Sequence, residues 1–333
     1  MTHELRLSAL LAVTLIGCAG DEPSTGETNV AASTMAEGTE AGETGTPVKP
    51  TGHVKFVALG DAGEGNDNQY LVADAIEQVC AQRGCEFAIY LGDNFYDVGV
   101  ESVTDEQFQD KFELPYMDLD FPFYVALGNH DYGILGNEWI KSQYQVEYTQ
   151  FSDKWVLPSE FYAFEAAHVK FYVLDTARLI YREDVEPQRE FMQAEIASAG
   201  EGIGWHIAMG HHPYISNGRH GNAGHYDGLN GSNLSGRHIK DFFDAEVCGK
   251  MTVYFSGHDH DRQWLHPTCG TEFVVSGAGA KLRRFEHRDQ NPTYFEDDQI
   301  PGFAWVEILD DTMTVAFYDR EGNLQYEGQT SLP

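Results

Sequence analysis

Five short apolar segments of the chain each lead into a glycine that is followed at once by Asp, Asn or His. The segments are residues 53–59, 87–91, 123–127, 205–209 and 251–255. Short apolar runs bounded by turn residues are typical of buried strands. Glycine permits a tight turn and a close approach of the backbone at the end of each strand. One such glycine is most simply a turn, but five that precede metal-competent side chains predict a functional site.

Helical patterns lie between these segments, at about 69–79 and 187–198. The alternation of strands and helices predicts an α/β fold. Ligand sites in such sheets lie beyond the carboxyl ends of the strands, where the loops converge. Near the C-terminus, residues 304–309 and 313–317 predict an antiparallel pair of strands. The sequence from residue 52 onward contains no internal repeat and no low-complexity linker, so we expect one domain over residues 52–333.

The composition limits the kinds of partner. The chain carries 53 acidic against 21 basic residues, a formal charge of −32, and 42% of its residues are hydrophobic. The apolar share predicts a packed core. A strongly negative field repels phosphate backbones, so we expect no nucleic-acid partner. An anionic substrate would need a locally positive site, and bound metal ions can provide one.

The N-terminus has the features of an export signal. The apolar run that follows Arg6 is too short to span a bilayer. It ends in Leu15-Ile16-Gly17-Cys18, which resembles the cleavage box of bacterial lipoproteins. We therefore predict a signal peptide at 1–17, a lipidated Cys18, and a Thr- and Gly-rich acidic tether over 18–51. The alternative is an ordinary secretory signal with an incidental cysteine.

The lipoprotein interpretation predicts an exported monomer, periplasmic or on the cell surface, that contacts a membrane only through its lipid and favours the outer membrane. Export makes the other four cysteines candidates for disulfides. Four cysteines allow three pairings. We favour Cys80–Cys85, closing a tight loop after a helix, and Cys248–Cys269, joining segments that flank a histidine-rich motif. Four buried free thiols remain the alternative.

The residues after the five glycines form a set of metal-competent side chains. The motifs are Gly60-Asp61-Ala62-Gly63, Gly92-Asp93-Asn94-Phe95-Tyr96, Gly128-Asn129-His130-Asp131, Gly210-His211-His212-Pro213 and Gly257-His258-Asp259-His260. Two carboxylates, an amide oxygen and three imidazoles could hold two cations that share one carboxylate. Mixed nitrogen and oxygen ligands suit Fe, Mn or Zn rather than calcium.

This ordered set of motifs resembles the calcineurin-like metallophosphoesterases and, within them, purple acid phosphatases of the small tartrate-resistant type. The resemblance runs from about residue 53 to 327 and includes the connecting segments 92–100, 255–263 and 275–279. It implies an αββα sandwich, with two mixed β-sheets flanked by helices and a dinuclear metal site at the carboxyl ends of the strands.

The resemblance also implies the ligands. They are Asp61, Tyr96 and His260 at the first metal, Asn129, His211 and His258 at the second, and Asp93 bridging the two. A phenolate ligand favours Fe(III) at the first site, with divalent Fe, Zn or Mn at the second. His212 is either an additional ligand or, as we prefer, a supporting or stacking side chain. Asp259 is not expected to bind metal.

The implied reaction is hydrolysis of a phosphate monoester, on a small molecule or a phosphoprotein, by attack of a metal-bound hydroxide. We expect His130 to bind the ester oxygen and protonate the leaving alkoxide. Asp131 is predicted to orient the other ring nitrogen of His130. His220 is a candidate second phosphate-binding or proton-donating group. Arg219 is either a phosphate contact or a solvated loop cation.

Two other functions are compatible with this chemistry. A phosphodiesterase or nucleotide hydrolase would use the same metal centre. A non-catalytic surface lipoprotein could have kept the fold, but we would then expect a ligand or His130 to be lost, and all eight residues are intact.

Overall fold

The computed structural model describes residues 51–225 and 236–332. The predicted signal peptide, Cys18 and the tether up to Pro50 lie outside these residues. The strands are β1 His53–Leu59, β2 Phe87–Leu91, β3 Phe123–Ala126, β4 Trp155–Val156, β5 Tyr162–Ala166, β6 Val169–Val173, β7 Trp205–Met209, β8 Val253–Ser256, β9 Arg262–Thr268, β10 Thr271–Ser276, β11 Thr293–Asp297, β12 Gly302–Leu309, β13 Thr312–Asp319 and β14 Leu324–Ser331. The α-helices are α1 Asp67–Arg83, α2 Ile140–Tyr148, α3 Thr176–Ile180, α4 Val185–Ser198 and α5 Gly236–Glu246.

The strands form two mixed sheets. The first sheet has the order β14-β13-β12-β1-β2-β3-β4, and the second has the order β11-β9-β10-β8-β7-β6-β5. In the first sheet β1 to β4 are parallel, whereas β12, β13 and β14 are joined antiparallel. In the second sheet β6, β7, β8 and β10 are parallel. The predicted antiparallel pair near the C-terminus is therefore β12 and β13.

Aromatic side chains join the two sheets face to face. Phe56 of β1 meets Phe171 of β6 and Phe255 of β8 edge-on, at centroid distances of 5.5 and 5.8 Å. Phe87 of β2 meets Phe164 and Phe171 in the same way, at 5.7 and 5.5 Å. Edge-to-face pairs are a preferred aromatic geometry and add about 0.5–1.5 kcal/mol each to the area that they bury. This layer is the centre of the sandwich.

Helices cover the outer faces of the sandwich. Helix α1 packs against β12 and β13. It begins where the Asn66 side chain accepts a hydrogen bond from the Gln69 amide, and it ends at Gly84, whose φ is 84°. Over the second sheet, Ile239 and Phe243 of α5 belong to a separate apolar cluster with Tyr254 of β8. The described residues include no helix long and apolar enough to cross a membrane. The expected αββα sandwich is confirmed.

Both favoured disulfides are confirmed. Cys80 in α1 is bonded to Cys85, which precedes β2. Cys248, which follows α5, is bonded to Cys269 in the turn between β9 and β10. The alternative of four free thiols is therefore wrong.

Candidate metal centre

The five glycine-terminated strands meet at one edge of the sandwich. Strands β1, β2 and β3 are parallel neighbours in the first sheet, and β7 and β8 are parallel neighbours in the second. Their loops are joined by backbone hydrogen bonds, from Asp61 N to Gly92 O at 3.0 Å and from Gly257 N to His211 O at 3.0 Å. Gly60 N also donates to Ser276 O of the second sheet. The fold thus brings all five motifs to one place.

The three side chains predicted for the first metal converge. The Tyr96 hydroxyl lies 2.9 Å from Asp61 Oδ1 and 3.3 Å from His260 Nε2. His260 Nε2 is in turn 3.3 Å from Asp61 Oδ1. The three donor atoms form a nearly equilateral triangle in the buried interior of the site.

A second group of donor atoms surrounds His211. Its Nε2 atom lies 3.2 Å from Asn129 Oδ1, 3.1 Å from His258 Nδ1 and 3.4 Å from Asp93 Oδ1. The carboxylates of Asp61 and Asp93 and the ring of His211 offer ligand atoms that all lie within 4.8 Å of one another. Asp93 therefore lies between the two groups, where a shared ligand would have to be.

These separations match the coordination shell of a transition metal. Two ligands that are each about 2.1 Å from one ion, at angles between octahedral and tetrahedral, are separated by about 3.0–3.4 Å. The measured distances within the two groups run from 2.9 to 3.4 Å. Imidazole, phenol, amide and carboxylate donors together suit iron, zinc or manganese. The residues present therefore fit two such ions.

The electrostatics of the two groups also favour a bound cation. Burial, reinforced by the carboxylates of Asp61 and Asp93, holds the pKa of the Tyr96 hydroxyl well above its usual range. Burial opposes charge on His211, yet the same two carboxylates outweigh it and raise the pKa of the ring to about 10. Burial and the neighbouring His220 and His211 hold the pKa of His258 well below its usual range. A bound cation can neutralise the two carboxylates, which otherwise favour the protonated forms of Tyr96 and His211.

The backbone holds several predicted ligands in strained conformations. Asp61, Asp93 and His258 have φ of 54°, 55° and 68°, in the left-handed region that non-glycine residues rarely adopt. Each such residue costs about 1–2 kcal/mol, and residues of this kind cluster at functional sites. Gly257 faces the site closely, because a Cβ atom there would lie 2.4 Å from Asp61 Oδ2.

Hydrogen bonds to backbone groups orient the donor atoms. The Nδ1 atom of His211 lies 2.9 Å from the carbonyl oxygen of Leu91. Since a carbonyl can only accept, Nδ1 carries the proton and Nε2 is left as the donor to a metal. The His258 amide donates to Asp61 Oδ2 at 2.8 Å, which leaves Oδ1 turned toward Tyr96.

The predicted role of Asp131 is wrong. His130 Nδ1 donates to the carbonyl oxygen of Asp97 at 2.6 Å and does not contact the Asp131 carboxylate. That carboxylate is fully buried and accepts hydrogen bonds from the backbone amides of Gly128, Asn94 and Phe95. The reason is geometric: Asp131 lies on a helical turn that points its side chain under the preceding loop. The Asp131 carboxylate therefore stabilises the loop that carries Asp93 and Tyr96.

The carboxylate–histidine pair at this site is instead Asp259 with His220. The Asp259 Oδ1 atom accepts from the His220 amide at 3.0 Å and lies 3.2 Å from Nδ1 of its ring. The ring stacks on His258, with centroids 4.0 Å apart. Ser216 Oγ donates to the other Asp259 oxygen at 2.5 Å. The Asp259 carboxylate therefore contacts Ser216 and His220.

Arg219 and His212, for which the sequence left two roles open, differ in position. Arg219 is more than half exposed and lies 3.4 Å from Glu286, so its guanidinium does not line the site. His212 lines the site, and its Nδ1 atom lies 2.9 Å from Thr176 Oγ1. Its ring lies 4.3 Å from that of His258, with the two planes tilted by 48°. His211, His212 and His258 are nevertheless close enough to share an ion.

A cavity of about 220 Å³ opens over these side chains. His130, His220 and the predicted ligands Asp93, Asn129, His258 and His260 line one side. Residues that sequence reasoning missed line the rest: Ile134, Leu135, Gly136, Ala177, Ile180, Tyr181 and Arg283. They come from separate parts of the chain with no common pattern, so only the folded structure reveals them.

Known proteins share this fold and these motifs. Residues 54–262 match the sequence model of the calcineurin-like phosphoesterase family. Pig tartrate-resistant acid phosphatase type 5 is 30% identical over 91% of this chain and 93% of its own length. Purple acid phosphatase 4 of Arabidopsis thaliana is 28% identical over 85% of each chain. Among solved structures, GAP50, the anchor in the inner membrane complex of Plasmodium, superposes with a TM-score of 0.67 at 20% identity, over 84% of this chain and 89% of its own.

The chain therefore belongs to the calcineurin-like phosphoesterases. Within that family its similarity is to the tartrate-resistant and purple acid phosphatases, and it is a hydrolase of phosphate esters. The similarity to GAP50 supports the fold alone.

Proposed function

We propose that this protein is an exported phosphomonoesterase with a dinuclear Fe(III)–M(II) centre, where M is iron, zinc or manganese. The proposed ligands are Asp61, Tyr96 and His260 for the ferric ion, Asn129, His211 and His258 for the divalent ion, and Asp93 for both. The observation that carries the proposal is the pair of buried donor groups joined by Asp93, with separations of 2.9–3.4 Å.

The proposed division between the two metals rests on the chemistry of the donors. A phenolate is a hard anionic ligand, and only Tyr96 offers one among the residues of the two groups. When bound, two cations supply Lewis-acid polarisation of the phosphoryl group and a nucleophile derived from water near neutral pH.

The protein's own residues supply binding and proton transfer. His130 lines the cavity beside Asn129, and its Nδ1 proton is held by the carbonyl of Asp97. Its Nε2 atom is therefore the nitrogen that can contact the ester oxygen and, when the ring is protonated at both nitrogens, give a proton to the leaving group. His220 lines the same cavity and is backed by Asp259, so it is suited to bind or protonate a phosphoryl oxygen.

Removal of the shared carboxylate tests this proposal. We expect Asp93→Ala to lose both metal content and hydrolysis of phosphate monoesters, because both donor groups lose a ligand. The matched control is Asp74→Ala, which removes an exposed carboxylate from α1 and should change neither. Full activity in Asp93→Ala would refute the dinuclear assignment.

The visible spectrum of the purified protein tests the metal identity. A protein starting near Pro50 and loaded with iron should show a tyrosinate–Fe(III) charge-transfer band that disappears in Tyr96→Phe. A colourless, active protein that contains two zinc or manganese ions would refute the ferric assignment and leave the phosphoesterase function intact.

We also propose that residues 1–17 are a lipoprotein signal peptide, that Cys18 is lipidated, and that 18–51 tether the domain over 52–333 to a bacterial membrane. The two disulfides support an oxidising compartment. Metabolic labelling with palmitate in a bacterial host should be lost in Cys18→Ser. Labelling that survives this substitution would refute the anchor.

A further inference from the structure

Arg283 is the feature of the cavity that the proposed chemistry leaves without a role. It is partly buried, and among the described residues that line the cavity it is the one lysine or arginine. Its backbone amide donates to the carbonyl oxygen of His260 at 3.0 Å, which holds this residue beside a predicted metal ligand. The whole chain carries a net charge of −32, so a cation at this point is unlike most of the surface.

The guanidinium of Arg283 makes no hydrogen bond or ion pair within residues 51–225 and 236–332. The acidic side chains nearby are engaged elsewhere, since Glu286 lies 3.4 Å from Arg219 and Asp298 lies 3.0 Å from Arg284. A guanidinium has five donors in a planar fork that matches the oxygens of phosphate. Its position in the cavity therefore fits an anion supplied by the substrate.

The number of unesterified oxygens distinguishes the possible substrates. A phosphate monoester presents three such oxygens and two negative charges near neutral pH, whereas a diester presents two oxygens and one charge. An additional cation beside the metal ligands stabilises the extra charge of the monoester and has no equivalent oxygen to bind in a diester. Ile134, Leu135 and Ile180 line the same cavity and offer apolar surface for the leaving group.

We infer that Arg283 binds the third phosphoryl oxygen of the substrate and thereby makes this enzyme selective for phosphate monoesters over diesters. This inference rests on the proposed function, because it takes the cavity to be the phosphoryl-binding site. It assigns to Arg283 the role that sequence reasoning considered for Arg219.

The test compares two esters with one leaving group, 4-nitrophenyl phosphate and methyl 4-nitrophenyl phosphate, in the metal-loaded enzyme. We expect Arg283→Gln to lower kcat/KM for the monoester by about 10- to 100-fold, the effect of one hydrogen bond to a charged group. The diester should lose about threefold or less. Arg283→Lys, which keeps the charge, should recover part of the loss.

The matched control is Arg284→Gln, which removes the same charge from the next residue, whose side chain pairs with Asp298. It should leave both esters unaffected, so that a general change in protein charge is excluded. Equal losses on the two esters in Arg283→Gln, or an unchanged rate on the monoester with wild-type metal content, would overturn the assignment.

Calorimetric titration with inorganic phosphate separates this inference from the proposed function. We expect Arg283→Gln to bind phosphate about 10-fold more weakly than the wild-type enzyme. A wild-type enzyme that hydrolyses neither ester would refute the proposed function. Unchanged phosphate affinity in Arg283→Gln would refute the role of Arg283.

Discussion

Substitution of Gly92 tests how tightly the backbone is built around the predicted ligands. Gly92 has φ of 87°, and a Cβ atom there would lie 2.8 Å from both the Gly128 amide nitrogen and His211 Nδ1. Gly84, at the end of α1, has φ of 84°, but the nearest atom to its Cβ would be the Lys55 Cδ, at 3.5 Å. Both positions have a positive φ that disfavours alanine, and a steric penalty is added only at Gly92.

The magnitudes follow from this difference. Alanine in the left-handed region costs about 1–2 kcal/mol, which is the whole effect expected for Gly84→Ala. Overpacking of the kind seen at Gly92 adds about 1–3 kcal/mol, so we expect Gly92→Ala to lose about 2–5 kcal/mol of unfolding free energy. Since the His211 ring would also be displaced, affinity for a divalent cation should fall about 10- to 100-fold.

Two measurements check this prediction. Urea unfolding of the metal-free proteins gives the two free energies, with the disulfides kept intact, and titration with zinc gives the affinities. Gly84→Ala should bind zinc as the wild type does. Equal losses of stability in the two variants, together with wild-type zinc affinity in Gly92→Ala, would refute the steric role of this position.

Three other substitutions have defined outcomes. His130→Ala should keep its metal and lose about 10²–10⁴-fold in kcat; equal losses on alkyl and 4-nitrophenyl phosphates would contradict a proton-donor role. The double change Cys248→Ser and Cys269→Ser opens a loop with a sequence separation of 21, and urea unfolding should show a loss of about 3 kcal/mol. Phe171→Ala removes an aromatic ring from the layer between the sheets and should lower the free energy of unfolding by about 3–5 kcal/mol in the same assay. A loss below about 1 kcal/mol would contradict the packing there.

Much of the fold is predictable because its central strands are encoded locally. Strands β1, β2 and β7 have the predicted bounds, and β3 and β8 differ by one or two residues at their ends. Helix α1 is longer than predicted, Asp67–Arg83 rather than about 69–79, because residues that extend it, such as Asp67 and Arg83, are polar and lie outside the apolar pattern.

Other strands were not predicted, because their partners decide their conformation. Strand β14 alternates between exposed and half-buried residues and is held by β13 at the edge of the first sheet. Strand β4 has two residues, too few for any pattern. Strand β9 begins directly after the histidine-rich motif, and Arg262 is buried there because Asp297 and Gln325 bind its guanidinium. Such long-range contacts are invisible in a local pattern.

The difference between what the sequence predicts and what only the folded structure shows is clearest at the candidate metal centre. The types and order of the metal-competent side chains could be read from the chain, because each follows a strand end within five residues and parallel strands place those ends together. The hydrogen-bond partners of the acidic side chains could not be read from the chain. Asp131 follows His130 in sequence yet supports a different loop, whereas Asp259 lies 39 residues from His220, accepts a hydrogen bond from its amide and lies 3.2 Å from its ring Nδ1.

The sequence likewise does not show which arginine lines the cavity. Arg219 is adjacent to His220 in sequence, yet its side chain turns outward to Glu286, and Arg283 reaches the cavity from a distant loop. Sequence proximity sets which residues share a loop, because the chain is covalently continuous. The direction of each side chain depends on the surfaces and charges that folding places around it, and these come from segments far apart in the chain.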